Sequence, residues 1–147
     1  MRFLIPGNDS RPADVLLPHW KAGKDVALDV AVVNPCKGGT VVEAAAAAGY
    51  ALNDTFKSKM QKAAEACQRE GVIFLPMVTE SFGGWHEVAT REVVKLGRAL
   101  ARHTGEEEGE AVRHLWGRLG ILLQRGNAAI LGNRVPAFPP PHIDGVA

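Results

Sequence analysis

The sequence predicts an α/β (α+β) fold, a mixed central β-sheet flanked by helices, and three observations carry that expectation. Residues 26–33 (VALDVAVV) form a short run of β-branched and apolar residues, the pattern of a strand covered on both faces. Residues 72–78 (VIFLPMV) form a second such run. Between and after these runs lie segments whose apolar residues recur at helical spacing. Strand and helix alternating along one chain place the helices against the sheet.

Each element follows in order. Residues 1–10 read as a strand remnant or lead-in, closed by the turn cluster Pro6-Gly7-Asn8-Asp9-Ser10. Residues 13–17 (ADVLL) read as a strand closed by Pro18, and residues 20–25 as a hairpin loop with Lys21, Gly23, Lys24 and Asp25. Two strands joined by a tight polar loop form an antiparallel pair. Asn34-Pro35 ends the second strand. Thr40 is placed to cap a helix over 41–51, with Glu43 in the capping-box position. Asn53 or Asp54 is placed to cap a helix over 55–70. Phe56, Met60, Ala63, Ala64 and Cys67 form its apolar face, and Lys57, Lys59, Lys62 and Arg69 its basic face. Gly71 then stops the helix before the 72–78 strand.

Gly83-Gly84 marks a turn over 81–85, whose Trp85 reads as packing on the core, with stacking on DNA as the alternative. A helix follows over 86–103. Glu106-Glu107-Glu108 reads as solvated charge in a loop or helix start. The last helix, 110–126, aligns Val112, Leu115, Trp116, Leu119, Leu122 and Leu123 on one stripe. Residues 136–147 include Pro139-Pro140-Pro141 and read as an extended tail, so the domain covers 1–135. His86, His103 and His114 show no metal-ligand spacing and read as surface or capping residues.

Composition narrows the function classes. The length of 147 residues suits one domain, and 46% apolar with 22% charged residues is ordinary globular usage. The net charge of +1 supplies no global basic field, so nucleic-acid binding would need a local patch. Two cysteines, Cys36 and Cys67, are too few for a disulfide framework or a four-cysteine zinc site. That usage fits a reducing compartment, intracellular and nuclear or cytoplasmic. The longest nearly apolar run, 41–51, contains Glu43 and falls short of the roughly 20 residues a bilayer span needs. Residues 1–7 carry no signal-peptide apolar stretch. The expectation is a protein that is neither secreted nor membrane-bound.

Asp29 is the informative residue. It interrupts a run that should be buried, where an ionised carboxylate is costly unless paired or bound to a cation. Asp14 lies in the preceding strand in a similarly apolar setting. If the hairpin pairs the two, both acids approach one site, and a hard divalent cation such as Mg²⁺ relieves their repulsion. Arg11, Lys57 and Lys59 supply candidate positive charge around it. The plainer reading is a hydrogen-bonded structural aspartate. Glu80, after the 72–78 strand, either faces the same site or is an exposed strand end.

Arg11-Pro12-Ala13-Asp14, fourteen intervening residues, then Asp29-Val30-Ala31-Val32 resembles the restriction-like endonuclease module of one group of non-LTR retrotransposons. The segments RPADVLLPHWKAGKDVALDVAVVNP, GVIFLPMVTESFGGWHE and HLWGRLGILLQRGNAAI resemble the carboxyl-terminal region of reverse-transcriptase polyproteins of mobile elements. The resemblance spans about residues 11–136. It implies the PD-(D/E)XK nuclease fold, a Mg²⁺- or Mn²⁺-dependent DNA endonuclease activity, and a reverse-transcriptase domain as partner in the parent polyprotein. It makes Asp14 and Asp29 the metal-binding and catalytic acids. The motif's lysine position is Ala31 here, so the lysine would come from the next helix, which offers Lys57, Lys59 or Lys62, with Lys59 favoured first and Lys57 second. Arg11, Lys57 and Lys62 would contact nucleic acid. Ala13 is inserted between Pro12 and Asp14, and the family's Cys/His-rich segment has no counterpart in the ten residues before Arg11. A second expectation is therefore an inactive nucleic-acid-binding or assembly module of the same fold.

Overall fold

The computed structural model describes residues 13–134. Strands β1 (Val15–Lys21), β2 (Lys24–Val33) and β3 (Ile73–Glu80) form one sheet in the order β1-β2-β3. β1 runs antiparallel to β2, and β2 runs parallel to β3, so the sheet is mixed. Helices α1 (Val41–Ala46) and α2 (Tyr50–Arg69) make the crossover, and α3 (Glu87–Thr104) and α4 (Glu108–Gly132) follow β3. The predicted order of elements and the mixed, helix-flanked sheet are both present. The lead-in at 1–10 and the tail at 136–147 lie outside the described residues.

The two faces of the sheet follow from strand alternation. Val26 and Leu28 of β2 and Leu75 and Met77 of β3 point to one face, where they pack with Ala89 and Val93 of α3. Leu115, Trp116 and Leu119 of α4 close over that cluster. Ala27 and Phe74 point to the other face and pack with Ala13 and with Cys67 of α2, flanked by Met60, Ala63 and Ala64. The small alanines let α2 lie close to the sheet. Pro76 sits mid-strand in β3, which is tolerated because β3 is an edge strand. The outer edge of β3 is partly covered: Thr79 bridges Trp85, and His86 N–H donates to the Val78 carbonyl.

Several expectations change. The hairpin loop shrinks from 20–25 to Ala22-Gly23, both at positive φ (50° and 75°), the two-residue connection whose twist matches the strands. β1 therefore continues past Pro18. Its register slips between Leu17 and Lys21, and His19 takes φ 53°. Pro18 has no N–H for the ladder, and the bulge that results turns Trp20 toward α3. Asp14 is not in the strand; it sits at a bend just before β1 and is exposed, because the ladder starts only at Val15↔Leu28. The helix expected over 41–51 ends at Ala46. Gly49, at φ 74°, separates it from α2, which begins at Tyr50, so Asn53 and Asp54 lie inside a helix rather than capping one. Thr40 makes no side-chain cap; its hydroxyl donates to the Lys37 carbonyl.

β2 is central, but only its first half is covered on both faces. Val30 and Val32 are 50% and 55% exposed. α4 also runs beyond α3, so Leu122, expected on the buried stripe, is 62% exposed. α3 and α4 touch closely at Gly97, where an added Cβ would come within 2.8 Å of the Val112 Cα. Backbone cannot give way as a side-chain tip can. Gly97→Ala should therefore lower stability by about 1–3 kcal/mol in urea denaturation despite the better helix propensity of alanine. An unchanged or raised midpoint would show that the two helices separate without penalty.

Candidate functional site

The site is built where α2 crosses β2. Ala27 anchors the α2 face of β2 in the core, and Asp29 is the next residue on that face. Its partner β3 residue is Pro76, whose ring offers no donor. With only 14% of its side chain exposed, the Asp29 carboxylate needs a counter-charge. Lys59 supplies it: Nζ lies 2.6 Å from Asp29 Oδ2, and its side chain is 35% exposed. Lys59 precedes Met60 and sits one turn before Ala63, both packed on the sheet, so helix docking fixes where the ammonium arrives.

Asp14 reaches the same strand from another direction. Its N–H donates to the Leu28 carbonyl at 2.9 Å, and its Oδ2 accepts from Val30 N–H at 2.8 Å. That carboxylate continues the ladder past the end of β1, in the plane of the sheet. Asp29 rises out of the plane toward α2. The two acids thus bracket one short stretch of β2, residues 28–30.

The other predicted residues are placed as follows. Lys57 is exposed and, two residues before Lys59, projects about 160° away from it around the helix, so it is not brought to Asp29. Lys62 is exposed and lies about 60° from Lys59, on the same flank. Arg11 lies outside the described residues. Ala31 occupies the strand position two residues beyond Asp29. Glu80 is four residues beyond Pro76, about 13 Å along β3, and its carboxylate lies against Gly84. Glu80 and Asp29 therefore do not share a site.

Trp85 packs against the α3 and α4 cluster and meets Trp116 edge-on, with ring centroids 5.3 Å apart at 79°. Its turn is held by Gly83 at φ 100° and by bonds from Thr79 Oγ1 and Glu80 N–H to the Gly84 carbonyl. The structural reading of Trp85 fits this contact.

Two features escaped the sequence. Glu92 of α3 is buried at 3% exposure and accepts from Trp20 Nε1 and from Lys95 Nζ, the latter at 3.3 Å. Its position between Ala89 and Leu96 on the core stripe of α3 was a usable signal. Its partner Trp20 lies in β1 rather than in the loop expected over 20–25. The second is a stack of His86 on Phe56 of α2, with centroids 4.0 Å apart and planes within 5°. His86 also caps α3, its Nδ1 accepting from Val88 N–H at 3.2 Å. Of the other histidines, His103 is exposed and His114 pairs with Glu106 at 2.5 Å. Glu107 caps α4, and the backbone N–H groups of Gly109 and Glu110 hold its carboxyl below the usual range.

Among the described residues no three His, Cys, Asp or Glu side chains cluster as metal ligands. Asp14 and Asp29 each carry hard oxygen donors. Two such carboxylates would suit Mg²⁺ or Mn²⁺, which bind through one or two carboxylates and otherwise keep water or phosphate oxygens. Compared with known proteins, the chain matches no family model, no curated protein and no solved structure.

Two predictions follow from these contacts. Burial holds the His86 pKa below 6.5, with Glu87 opposing and Arg91 reinforcing the shift. The unfolded chain then binds the proton more readily. His86 stabilises the fold fully above about pH 6.5, and that contribution fades as pH falls through the folded value. Urea midpoints should drop over that interval, and His86→Asn, which keeps a capping acceptor but does not titrate, should flatten the dependence. For the ion pair, Lys59→Met should cost about 1–3 kcal/mol by leaving a mostly buried carboxylate uncompensated. A cycle with Asp29→Asn should yield a coupling of about 1 kcal/mol; additivity would mean the pair contributes nothing.

Proposed function

We propose that this domain is a divalent-metal-dependent DNA endonuclease of the restriction-like kind, hydrolysing a phosphodiester to nick target DNA. Its setting is a retrotransposon-type polyprotein with a reverse-transcriptase domain as partner. The observation that carries the reading is the 2.6 Å approach of Lys59 Nζ to Asp29 Oδ2. A strand carboxylate, a second carboxylate at the same strand and a lysine delivered by the following helix form the set that the sequence resemblance calls for. The antiparallel hairpin followed by a parallel crossover strand is compatible with the PD-(D/E)XK fold.

In this reading Asp14 and Asp29 would hold Mg²⁺ or Mn²⁺, which would supply polarisation of a phosphodiester oxygen and acidification of a water molecule. Lys59 faces the charge that builds on the phosphate. Lys62, on the same flank of α2, and Arg11 bind backbone phosphates as point charges. Lys57 points away and has no part in the reaction.

A second reading, an inactive nucleic-acid-binding or assembly module, draws support from one observation. Both carboxylates are satisfied within the protein, Asp14 by Val30 N–H and Asp29 by Lys59. The two readings part on plasmid nicking. The active domain should nick supercoiled DNA only with Mg²⁺ or Mn²⁺ and stop with chelator. Asp29→Asn should abolish nicking with the fold retained, Lys59→Ala should slow it about 10²–10³-fold, and Lys57→Ala should leave it unchanged. DNA binding without nicking by the parent chain would establish the second reading instead.

A further inference from the structure

We infer that Lys59 is a built-in counter-ion which Asp29 must release before it can bind a divalent cation, so that the lysine regulates loading of the site. The inference rests on the metal-dependent reading above and extends it from which residues bind to how binding is controlled.

The geometry sets the competition. Lys59 Nζ is 2.6 Å from Asp29 Oδ2, a charge-assisted contact at full hydrogen-bond strength. An ammonium and a hard cation both seek the same carboxylate, and a cation approaching Oδ2 meets the repulsion of the ammonium already seated there. Asp14 poses no such obstacle. Its Oδ2 is bonded by the neutral Val30 N–H, which carries no net charge to repel a cation.

Charge gives the same result. Asp14 and Asp29 bring −2, and Lys59 returns +1 while it is paired. A divalent cation neutralises the two acids fully only when the ammonium has left Asp29. The side-chain exposures, 14% for Asp29 and 35% for Lys59, show which partner has room to move. The lysine backbone is fixed because α2 is docked on either side of it, by Phe56 on His86 and by Met60 and Ala63 on the sheet. A released ammonium therefore stays within the reach of its own stem, where it meets an incoming phosphate. In the resting protein the same lysine keeps a mostly buried carboxylate compensated. One residue thus serves two states, and loading is an exchange of counter-ions rather than a filling of free space.

Mn²⁺ alone is the probe, with binding read by calorimetry on the full chain at neutral pH and low salt. Lys59→Met should bind Mn²⁺ about tenfold more tightly than the parent, because the competing ammonium is gone. Lys62→Met, which removes an equal charge from the same flank without touching Asp29, should leave the affinity near that of the parent. The rise in melting temperature on adding Mn²⁺ should also be larger for Lys59→Met. Lys59→Arg, whose guanidinium grips a carboxylate with two donors, should weaken Mn²⁺ binding, and it provides the test if the methionine variant fails to fold. Equal tightening in Lys59→Met and Lys62→Met would overturn the exchange in favour of a general field effect. Parent binding with no change in either Lys59 variant would overturn the exchange and leave the metal site standing. Absence of Mn²⁺ binding in the parent and in every variant would overturn both.

Discussion

β2 is the one described strand with hydrogen-bonded neighbours on both edges, and it is the element on which the rest of the arrangement depends. Its even positions, Val26 and Leu28, are held by α3, and Ala27 is held by α2. That double anchorage fixes the height and direction of Asp29, the next residue on the α2 face. It also fixes the distance from which Lys59 must reach. A slip of β2 by one residue against both neighbours would turn Asp29 to the α3 face and leave Lys59 without a partner.

The protein handles two enclosed acids, Glu92 and Asp29, in different ways. Glu92 is held from two sides by Trp20 and Lys95, one donor on each carboxylate oxygen. It ties the end of β1 to α3 and so closes one end of the sheet. Asp29 is held by one partly exposed cation on the α2 face of the central strand. A buried carboxylate with two donors is a structural fastening, whereas one with a single mobile counter-ion can change partners. This contrast, more than burial alone, separates the candidate functional acid from the structural one.

The far end of the molecule presents a different surface. Ile121, Leu122, Ile130 and Leu131 on α4 are more than half exposed, as are Val32 of β2 and Phe82 of the turn. From residue 111 to residue 132 the helix carries no acid and only Arg113, Arg118 and Arg125 as charged groups. A helix apolar around most of its circumference exceeds what α3 alone can cover. Asn127 Nδ2 bonds the Ser81 carbonyl and is the polar contact that ties this overhanging half to the sheet.

Periodicity and turn chemistry made the element order, the central position of β2 and the apolar face of α2 legible in the sequence. These depend on local spacing, and the packing of Met60, Ala63, Ala64 and Cys67 follows that spacing. Asp29 stood out for the same reason, as one charge in an apolar run. Boundaries were less legible. Ala22 at positive φ is a non-glycine residue in a position that glycine or asparagine usually marks, so the short hairpin left no local sign. The lysine opposite Asp29 was open between Lys57 and Lys59 because the sequence states the helical period but not its phase against the sheet. Tertiary packing decided that phase when Cys67 and Phe74 closed together, and with it the choice of Lys59. It likewise placed Trp20 on Glu92 and His86 on Phe56, pairs separated by 72 and 30 positions, over which no local pattern carries information.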